Sequence, residues 1–566
     1  MKKFKRFHPK TITDVLQLAR ESARLYGDRT TYIYLEQKEE KRINYQENYD
    51  RILHFGTALA DKGLLGKRVA IVGDNHPSYM TAFFAVIGGN GTTVPLDKDV
   101  SLDTLIDFMN IAEVEAVVYT EKFNKKLITC ADRLPGVRYF FPICDWSENC
   151  SAENVIPFNE MLAIGKTIYE GGNTAYADTK PDLDQVAAIL FTSGTTGTSK
   201  GVMLTHKNFV ATANACCQVM NQFSCDSHFV DCLPLNHSYE ITAGQLSIQN
   251  LGGQMMINDS VRNALRNFAK YKPNSLMLVP LYVETMHKRI WAEIEKKGMT
   301  KTVRNLMKIS DGLLKVGIDL RSKLFGQILE ALGGNLRFIV VGGAAMNPKI
   351  IQDFRSFGIY ISEGYGITEC SPLVAVNPLG KEKTHSVGPA CECCQVKIDK
   401  SPEEETGEIL VKGDNVMKGY YQNEEATKEV FTEDGWFRTG DIGYMDEDGY
   451  IFITGRKKNV IILSNGKNVF PEELEEHLAD RADVIGEAVV IGRPNEAGEI
   501  TITAVIYPNQ EFAEGKAAEE VEIAIKAAVT EVNKSLPVYK QMRDVEIRDT
   551  EFEKTTTRKI KRFLVK

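Results

Sequence analysis

Thr192-Ser-Gly-Thr-Thr-Gly-Thr-Ser-Lys-Gly201 gathers hydroxyl side chains and glycines around a single lysine, directly after the apolar run Ile189-Leu-Phe191. Such a segment suits a polyphosphate. Glycines let backbone N–H groups approach an anion, hydroxyls add donors, and Lys200 supplies a mobile point charge. Ser193, Gly194, Thr195, Thr196 and Gly197 are therefore candidate phosphate contacts. A Walker loop is excluded by spacing: counted from Gly194, Ser199 stands where the second glycine belongs and Gly201 where the metal-binding hydroxyl belongs. Gly197-Thr-Ser199-Lys-Gly201 fits a nucleophile elbow in letters, but that motif needs a serine at an immediate strand-to-helix turn, and the apolar run ends several residues earlier. A flexible linker is disfavoured by apolar runs on both sides.

Other stretches carry complementary chemistry. Leu336-Arg-Phe-Ile-Val-Val-Gly-Gly-Ala-Ala-Met346 is a buried β run followed by small residues, so Gly343, Ala344 and Ala345 suit a backbone pressed against a flat ring, read as an adenine wall. Tyr360-Ile-Ser-Glu-Gly-Tyr-Gly-Ile-Thr-Glu-Cys370 places Gly364, Tyr365 and Gly366 before an exposed hydroxyl and carboxylate, Thr368 and Glu369. A carboxylate beside a polyphosphate is unfavourable without a cation, so Glu369 implies magnesium. A dinucleotide GxGxxG fails because Glu369 occupies the third glycine's place. Gly435-Trp-Phe-Arg-Thr-Gly-Asp441 presents an aspartate able to accept two ribose hydroxyls, and Arg456 would help orient ribose and α-phosphate. His237, between a proline-broken strand and the segment Ala243-Gly-Gln-Leu246, is a candidate cleft residue.

The elements that position these groups alternate. Strands are expected at Thr30 to Leu35, Arg68 to Val72, Ala116 to Tyr119, Val186 to Phe191 and Ser275 to Pro280. Helices are expected at Thr11 to Tyr26, opened by a threonine cap, and at Tyr45 to Lys62, Tyr79 to Ile87 and Asn208 to Phe223. This alternation predicts parallel sheets covered on both faces. Asp446-Glu-Asp-Gly449 reads as a hairpin turn. After Lys457-Lys-Asn-Val460 the texture changes: strands at Ala488 to Ile491 and Ile500 to Tyr507 alternate with helices at Pro471 to Arg481 and Glu519 to Leu536, enough for a separate α+β domain.

The chain has 566 residues, 43% of them hydrophobic, too many for one core. Its net charge of −8 gives no support to nucleic-acid binding. No long uncharged apolar stretch suggests a signal peptide or membrane span. The 11 cysteines are scattered; Cys391-x-Cys393-Cys394 lacks a second pair at zinc spacing, which fits reduced thiols and a cytoplasmic setting. Between Met286 and Lys323 ten lysines and arginines face four acids. That basic, partly amphipathic segment fits an anionic membrane surface at the inner face of a membrane, and equally a solvated helical face.

Thr192 to Gly201, Leu-Pro-Leu-Asn-His237, the glycine-alanine run at Gly343, Gly364-Tyr-Gly-Ile-Thr-Glu369, Thr-Gly-Asp441 with Arg456, and Lys559-Ile-x-Arg562 occur in the order of the adenylate-forming superfamily, which the chain resembles along almost its entire length. Its length, the basic segment and Leu-Pro-Leu-Asn-His-Ser-Tyr-Glu240 are most similar to bacterial long-chain fatty acid–CoA ligases. The resemblance implies an α/β fold with a large N-terminal multi-layer domain, residues 1–457, of sheets flanked by helices, and a small mobile α+β C-terminal domain, residues 458–566, after a hinge at Lys458. It implies ATP, magnesium and CoA, with Thr192 joining Glu369 at the metal and Lys559 reaching the reacting carboxylate and α-phosphate. The glycine usual before that lysine is Arg558 here. Ser464 and Gly466 would line a pantetheine channel once the small domain rotates. The activity implied is formation of a fatty acyl-AMP and pyrophosphate, then acyl transfer to CoA, with Lys200 on the leaving phosphates and His237 positioning the acid carboxylate. A fatty acyl-AMP ligase serving a carrier protein and a catalytically silent nucleotide-binding scaffold are the alternatives.

Overall fold

The computed structural model describes residues 11–143, 153–192, 199–220, 222–258, 260, 263–463, 467–495, 499–554 and 560–565. These form two compact units. The larger contains 11–192, 199–395 and 412–435, and the smaller contains 396–411 and 436–565.

The larger unit is built on three sheets. In the first, β3 (Arg68–Val72), β4 (Thr92–Leu96), β5 (Ala116–Thr120), β6 (Tyr139–Ile143) and β7 (Val186–Thr192) run parallel in the order β7-β4-β3-β5-β6. Val69, Ala70, Ile71 and Val72 are wholly buried, which explains their unbroken apolar run: a parallel strand covered on both faces has no solvent side to keep polar. Helix Pro77–Gly88, capped by the His76 ring on the Ser78 N–H, is buried on every side and is accordingly apolar all round. The second sheet orders β2 (Glu39–Asn44), β1 (Thr30–Glu36), β10 (Gln254–Ile257) and β9 (His228–Asp231), and the third β11 (Ser275–Leu278), β12 (Phe338–Gly342), β13 (Tyr360–Gly366) and β14 (Leu373–Val376).

Purely parallel sheets were expected, and each sheet departs from that at an edge. β2 and β14 pair antiparallel with their neighbours, and β8 (Lys200–Thr205) folds back antiparallel on β7. The expected helix at Thr11 begins at Val15, because Asp14, not a threonine, is extended and accepts the Gln17 N–H at 2.7 Å. The helix expected at Asn208 to Phe223 spans His206–Val219, since Thr205 and Asn208 exchange backbone and side-chain hydrogen bonds as a capping box.

In the smaller unit, residues 407–411 of strand Gly407–Gly413 form an antiparallel ladder with strands Phe437–Met445 and Tyr450–Arg456, with the expected turn closed by the Asp446 N–H on Tyr450 O at 3.0 Å. A three-stranded sheet of Ile485–Pro494, Ile500–Pro508 and Asp544–Ile547 packs under helices Pro471–Ala479 and Ala518–Lys534. Leu474, Val490, Ile506, Ile525 and Val529 are among the side chains of that core. The whole is the expected fold class, a large α/β body plus a small α+β domain.

Candidate functional site

The hydroxyl-rich segment joins two antiparallel strands rather than a strand and a helix. Thr192 closes β7, Lys200 opens β8, and the two are register partners, with Thr192 Oγ1 donating to Lys200 O at 3.4 Å. A nucleophile elbow needs a strand-to-helix turn at this point, so the serine-hydrolase geometry is excluded. Ser193, Gly194, Thr195, Thr196 and Gly197, the predicted donors between those strands, lie outside the described residues.

A residue that sequence reasoning missed lies against β8. The two-residue strand Gly419–Tyr420 pairs antiparallel with it, setting Tyr420 opposite Val202. Lys200 Nζ sits 4.8 Å from the centre of the Tyr420 ring, within range of a cation–π contact. The phenol on the same ring donates to Glu369 Oε1 at 3.0 Å. Burial, reinforced by the Glu369 charge, raises the phenol well above its ordinary value, so it remains a donor. Tyr420 thereby connects the predicted phosphate lysine to the predicted metal carboxylate. Nothing in the spacing of Gly419-Tyr-Tyr421 marks this role; it follows from strand pairing across more than two hundred residues.

Glu369 belongs to a short turn, Thr368–Cys370, after β13, and its carbonyl accepts the Met417 N–H at 2.8 Å. β11, β12 and β13 are parallel, and Gly342 is the register partner of Gly364. Gly343, Ala344 and Ala345 are exposed just past the carboxyl end of β12, with Gly343 at φ +94°. Gly364, Tyr365 and Gly366 finish β13, and a Cβ on Gly366 would fall 2.3 Å from Pro372 O, so only glycine fits there. The carboxyl ends of parallel strands are where open α/β sheets place ligands.

His237 is half-buried in the segment that leaves the carboxyl end of β9. That segment is tied on two sides. Tyr239 donates its phenol to Val340 O on β12 at 3.1 Å, and the Asn75 side chain holds Leu233 O and the Leu235 N–H at 2.6 and 3.1 Å.

In the smaller unit Asp441 and Arg456 are register partners, and Arg456 Nε meets Asp441 Oδ1 at 2.8 Å. Asp441 is only 3% exposed, held in place by its N–H on Thr439 Oγ1 at 3.0 Å. Lys458 is solvent-exposed yet crowded: partial desolvation first, and the Arg456 charge second, lower its ammonium to about 8. Ser464, Gly466 and Lys559 lie outside the described residues. Near the last, Lys554 and Ile560 form an antiparallel bridge, Arg562 Nη1 donates to Val490 O at 2.8 Å, and Arg562 pairs with Glu475.

Glu369 and Thr192 are hard oxygen donors of the kind magnesium takes one or two at a time, with substrate phosphates and water completing the shell. Among the described residues no cluster of three or more His, Cys, Asp or Glu could hold an ion unaided, so an ion here would depend on nucleotide oxygens.

A lysine-closed hairpin, a carboxylate turn and small residues at the ends of parallel strands, together with a small domain carrying an Asp–Arg pair, define the class as an adenylate-forming fold. Solved structures agree. An anthranilate CoA ligase, AuaEII, in complex with anthranoyl-AMP superposes with a TM-score of 0.77 at 18% identity, covering 98% of this chain and 96% of that one. MatB from Rhodopseudomonas palustris with ATP gives 0.73 at 23% identity, covering 97% and 98%. The chain belongs to the AMP-binding enzyme family: residues 19–421 match the AMP-binding enzyme model and residues 458–565 the AMP-binding enzyme C-terminal domain. Similar curated proteins include the long-chain-fatty-acid–CoA ligase FadD15 of Mycobacterium bovis, 28% identical over 88% of this chain and 86% of that protein. The peroxisomal long chain acyl-CoA synthetase 6 of Arabidopsis thaliana is 27% identical over 85% and 70%, and the chloroplastic long-chain-fatty-acid–[acyl-carrier-protein] ligase AEE15 of the same plant is 27% identical over 90% and 78%.

Proposed function

We propose that this chain activates a long-chain fatty acid with ATP and then transfers the acyl group to CoA. The observation that carries this reading is the Lys200–Tyr420–Glu369 cluster, which sets a cation and a carboxylate beside the strands that bound the hydroxyl-rich hairpin. A free carboxylate is a poor acylating agent; an acyl adenylate leaves as AMP. The carboxylate oxygen attacks the α-phosphorus, the bond to the bridging oxygen breaks, and pyrophosphate departs with the electron pair. Lys200 and the donors at Ser193 to Gly197 take the charge growing on the leaving phosphates. Gly343 to Ala345 and Gly364 to Gly366 flank the adenine, with Thr368 beside it. Asp441 accepts the ribose hydroxyls and Arg456 orients ribose and α-phosphate. His237 positions the acid and Lys559 stabilises the reacting oxygens. Glu369 and Thr192 would hold magnesium, which would supply charge that offsets the phosphates. No general base is required, because the acid is already ionised.

In the second half-reaction the CoA sulfur attacks the acyl carbonyl and AMP leaves. We take Lys458, where the match to the C-terminal domain begins, as the hinge between 1–457 and 458–566, with Ser464 and Gly466 lining the thiol's approach.

The same reading extends to where the acid is met. No described helix is long and apolar enough to cross a membrane. Helix Thr300–Lys315 buries Val303, Met307 and Ser310, while its opposite face exposes Lys301, Lys308, Ile309 and Lys315, continued by Val316 and Ile318. Exposed apolar side chains among lysines support a peripheral contact with an anionic bilayer on its cytoplasmic side.

The test is AMP release across fatty acids of increasing length and aromatic acids, with CoA, with acyl carrier protein, and with neither. Release that is greatest for long chains and coupled to thioester formation on CoA is expected. Thioester formed on the carrier protein alone overturns the acceptor, and no AMP with any acid overturns the reading.

A further inference from the structure

The segment carrying His237, residues 232–239, has a carboxyl group at each end. Asp231 is the last residue of β9, and Glu240 opens a π-helix, Glu240–Leu246. They are 4% and 2% exposed, and their side chains hydrogen-bond to each other. Two carboxylates offer acceptors only, so that bond needs a proton. Asp231 Oδ1 is buried with no hydrogen-bond donor of its own among the described residues; besides the Asn75 amide, the Leu233 N–H and the Glu240 carboxyl bond the Asp231 side chain.

The remaining partners of the pair are neutral amides. Asn75 Nδ2 donates to Asp231 Oδ2 at 3.0 Å, and Gln245 Nε2 to Glu240 Oε1 at 3.1 Å. Among the described residues neither acid forms an ion pair. Burial pushes both upward, Glu240 to about 7, with the neighbouring Glu240 charge adding to the rise at Asp231. The titratable groups facing them are Tyr32 on β1, with Tyr45 behind it, and Cys232 and Tyr239 in the segment itself. Burial raises all four, so they remain neutral while the acids titrate.

The surroundings are built for this geometry. The Tyr32 phenol donates to Gln245 Oε1 at 2.9 Å and accepts from Gln249 Nε2 at 2.6 Å, and Asn48 Nδ2 donates to Gln249 Oε1 at 3.2 Å. Gln245 is thereby fixed with its amino group toward Glu240. A Cβ on Gly244 would lie 2.2 Å from Glu240 Oε1, so the missing side chain makes room for the carboxyl. A π-helix seven residues long is uncommon, and such turns occur frequently at functional sites.

We propose that Asp231 and Glu240 share one proton and so clasp the neck of the His237 segment, acting as positioning residues for the acid substrate. This rests on the adenylation role assigned to His237. When the shared proton is lost, two adjacent anions repel and the neck loosens. The acid's KM then rises while ATP affinity, set by other segments, holds.

The test measures kcat and KM for fatty acid against pH in pyrophosphate exchange, with ATP saturating, for the wild type and for Asp231→Asn, Glu240→Gln and Glu240→Ala. An amide opposite a carboxylate keeps the hydrogen bond without a proton to lose. The wild type is expected to show an alkaline rise in acid KM that the two amide variants lack. Glu240→Ala raises that KM by about tenfold at every pH, the cost of a hydrogen bond to a charged group, without weakening ATP binding. An alkaline rise that persists in both amide variants overturns the clasp. So does an alanine variant whose acid KM is unchanged. Infrared difference spectra give a readout independent of turnover: the folded wild type should show a protonated carboxyl C=O stretch at neutral pH that both amide variants lose, and its absence from the wild type sinks the proposal. If no acid yields AMP, the function falls, but the infrared band still decides whether the proton is shared.

Discussion

The phenol of Tyr420 donates to Glu369 Oε1 across 3.0 Å while Lys200 Nζ rests 4.8 Å from the centre of the same ring. One aromatic side chain thus orients a carboxylate and carries a cation on its face. Tyr420→Phe keeps the ring and removes only the donor. Its effect should fall on Glu369: kcat for adenylation drops by about tenfold, the worth of a hydrogen bond to a charged acceptor, and half-maximal activity needs more magnesium. Tyr420→Ala should additionally raise KM for ATP, because Lys200 loses its platform. Initial rates of AMP formation against magnesium and ATP would separate the two effects. An unchanged magnesium dependence in Tyr420→Phe would remove Tyr420 from the site.

Asp441 and Arg456 meet at 2.8 Å as register partners, the aspartate nearly buried and the arginine side chain 41% exposed. If the carboxylate also accepts the ribose hydroxyls, Asp441→Asn keeps its shape but weakens both interactions. KM for ATP should rise by about tenfold or more, and KM for 2′-deoxy-ATP by less, since that substrate has already lost one hydroxyl. Equal penalties for both nucleotides would place the ribose elsewhere.

Much of this was readable before folding, and the exceptions share a cause. Arg68–Val72 and the helix Pro77–Gly88 announce themselves because full burial permits only apolar residues. Lys200 and Asp441 stand out because charged side chains follow glycine-bearing turns. Tyr420 did not stand out, since its role depends on Gly419–Tyr420 pairing with Lys200–Thr205. The Asp231–Glu240 pair was equally silent: two acids nine positions apart look solvated until β9 and the π-helix enclose them. β8 was missed because its antiparallel return breaks the alternation that predicts parallel strands.

The pH dependence of stability follows from Glu240. Its folded-state value, about 7, lies above the ordinary 4.5, so the folded state holds a proton that the unfolded chain releases sooner. That contribution to stability is fully present below the ordinary value and is lost as pH rises through the folded one. Glu240→Gln removes the Glu240 titration while burial still raises Asp231, so the difference between the two proteins reads Glu240. Measured by denaturant unfolding, the wild type should lose stability relative to Glu240→Gln between about pH 5 and pH 8. A constant difference over that window would mean the acid is ionised throughout in the folded protein.

The face of Thr300–Lys315 that exposes Ile309, with Val316 and Ile318 beyond it, lies opposite Val303 and Met307, so those exposed side chains contribute nothing to the core. Replacing Ile309, Val316 and Ile318 together with serine should leave melting and turnover of a water-soluble short-chain acid unchanged. Co-sedimentation with phosphatidylglycerol vesicles should fall by about tenfold, consistent with burial of a few apolar side chains, and sedimentation with phosphatidylcholine should be weak throughout. Binding that ignores both the substitution and the lipid charge would argue for a solvated face.

The last motif gives the sharpest separation of the two half-reactions. Lys559 itself lies outside the described residues; Lys554 and Ile560 form an antiparallel bridge, and Arg562 is anchored on Val490 O and Glu475. If Lys559 stabilises the α-phosphate only while the adenylate forms, Lys559→Ala should abolish acid-dependent pyrophosphate exchange yet largely retain acyl transfer to CoA from a supplied acyl adenylate. Arg558→Gly, which restores the residue usual at that place, should change exchange far less, because it alters backbone freedom and not the reacting charge. Lys200→Ala is expected to slow exchange without abolishing it, since the proposed donors at Ser193 to Gly197 would still hold the leaving phosphates. Normal exchange in Lys559→Ala would transfer the adenylating charge to another residue; loss of both half-reactions would mean that the lysine serves the nucleotide in every step.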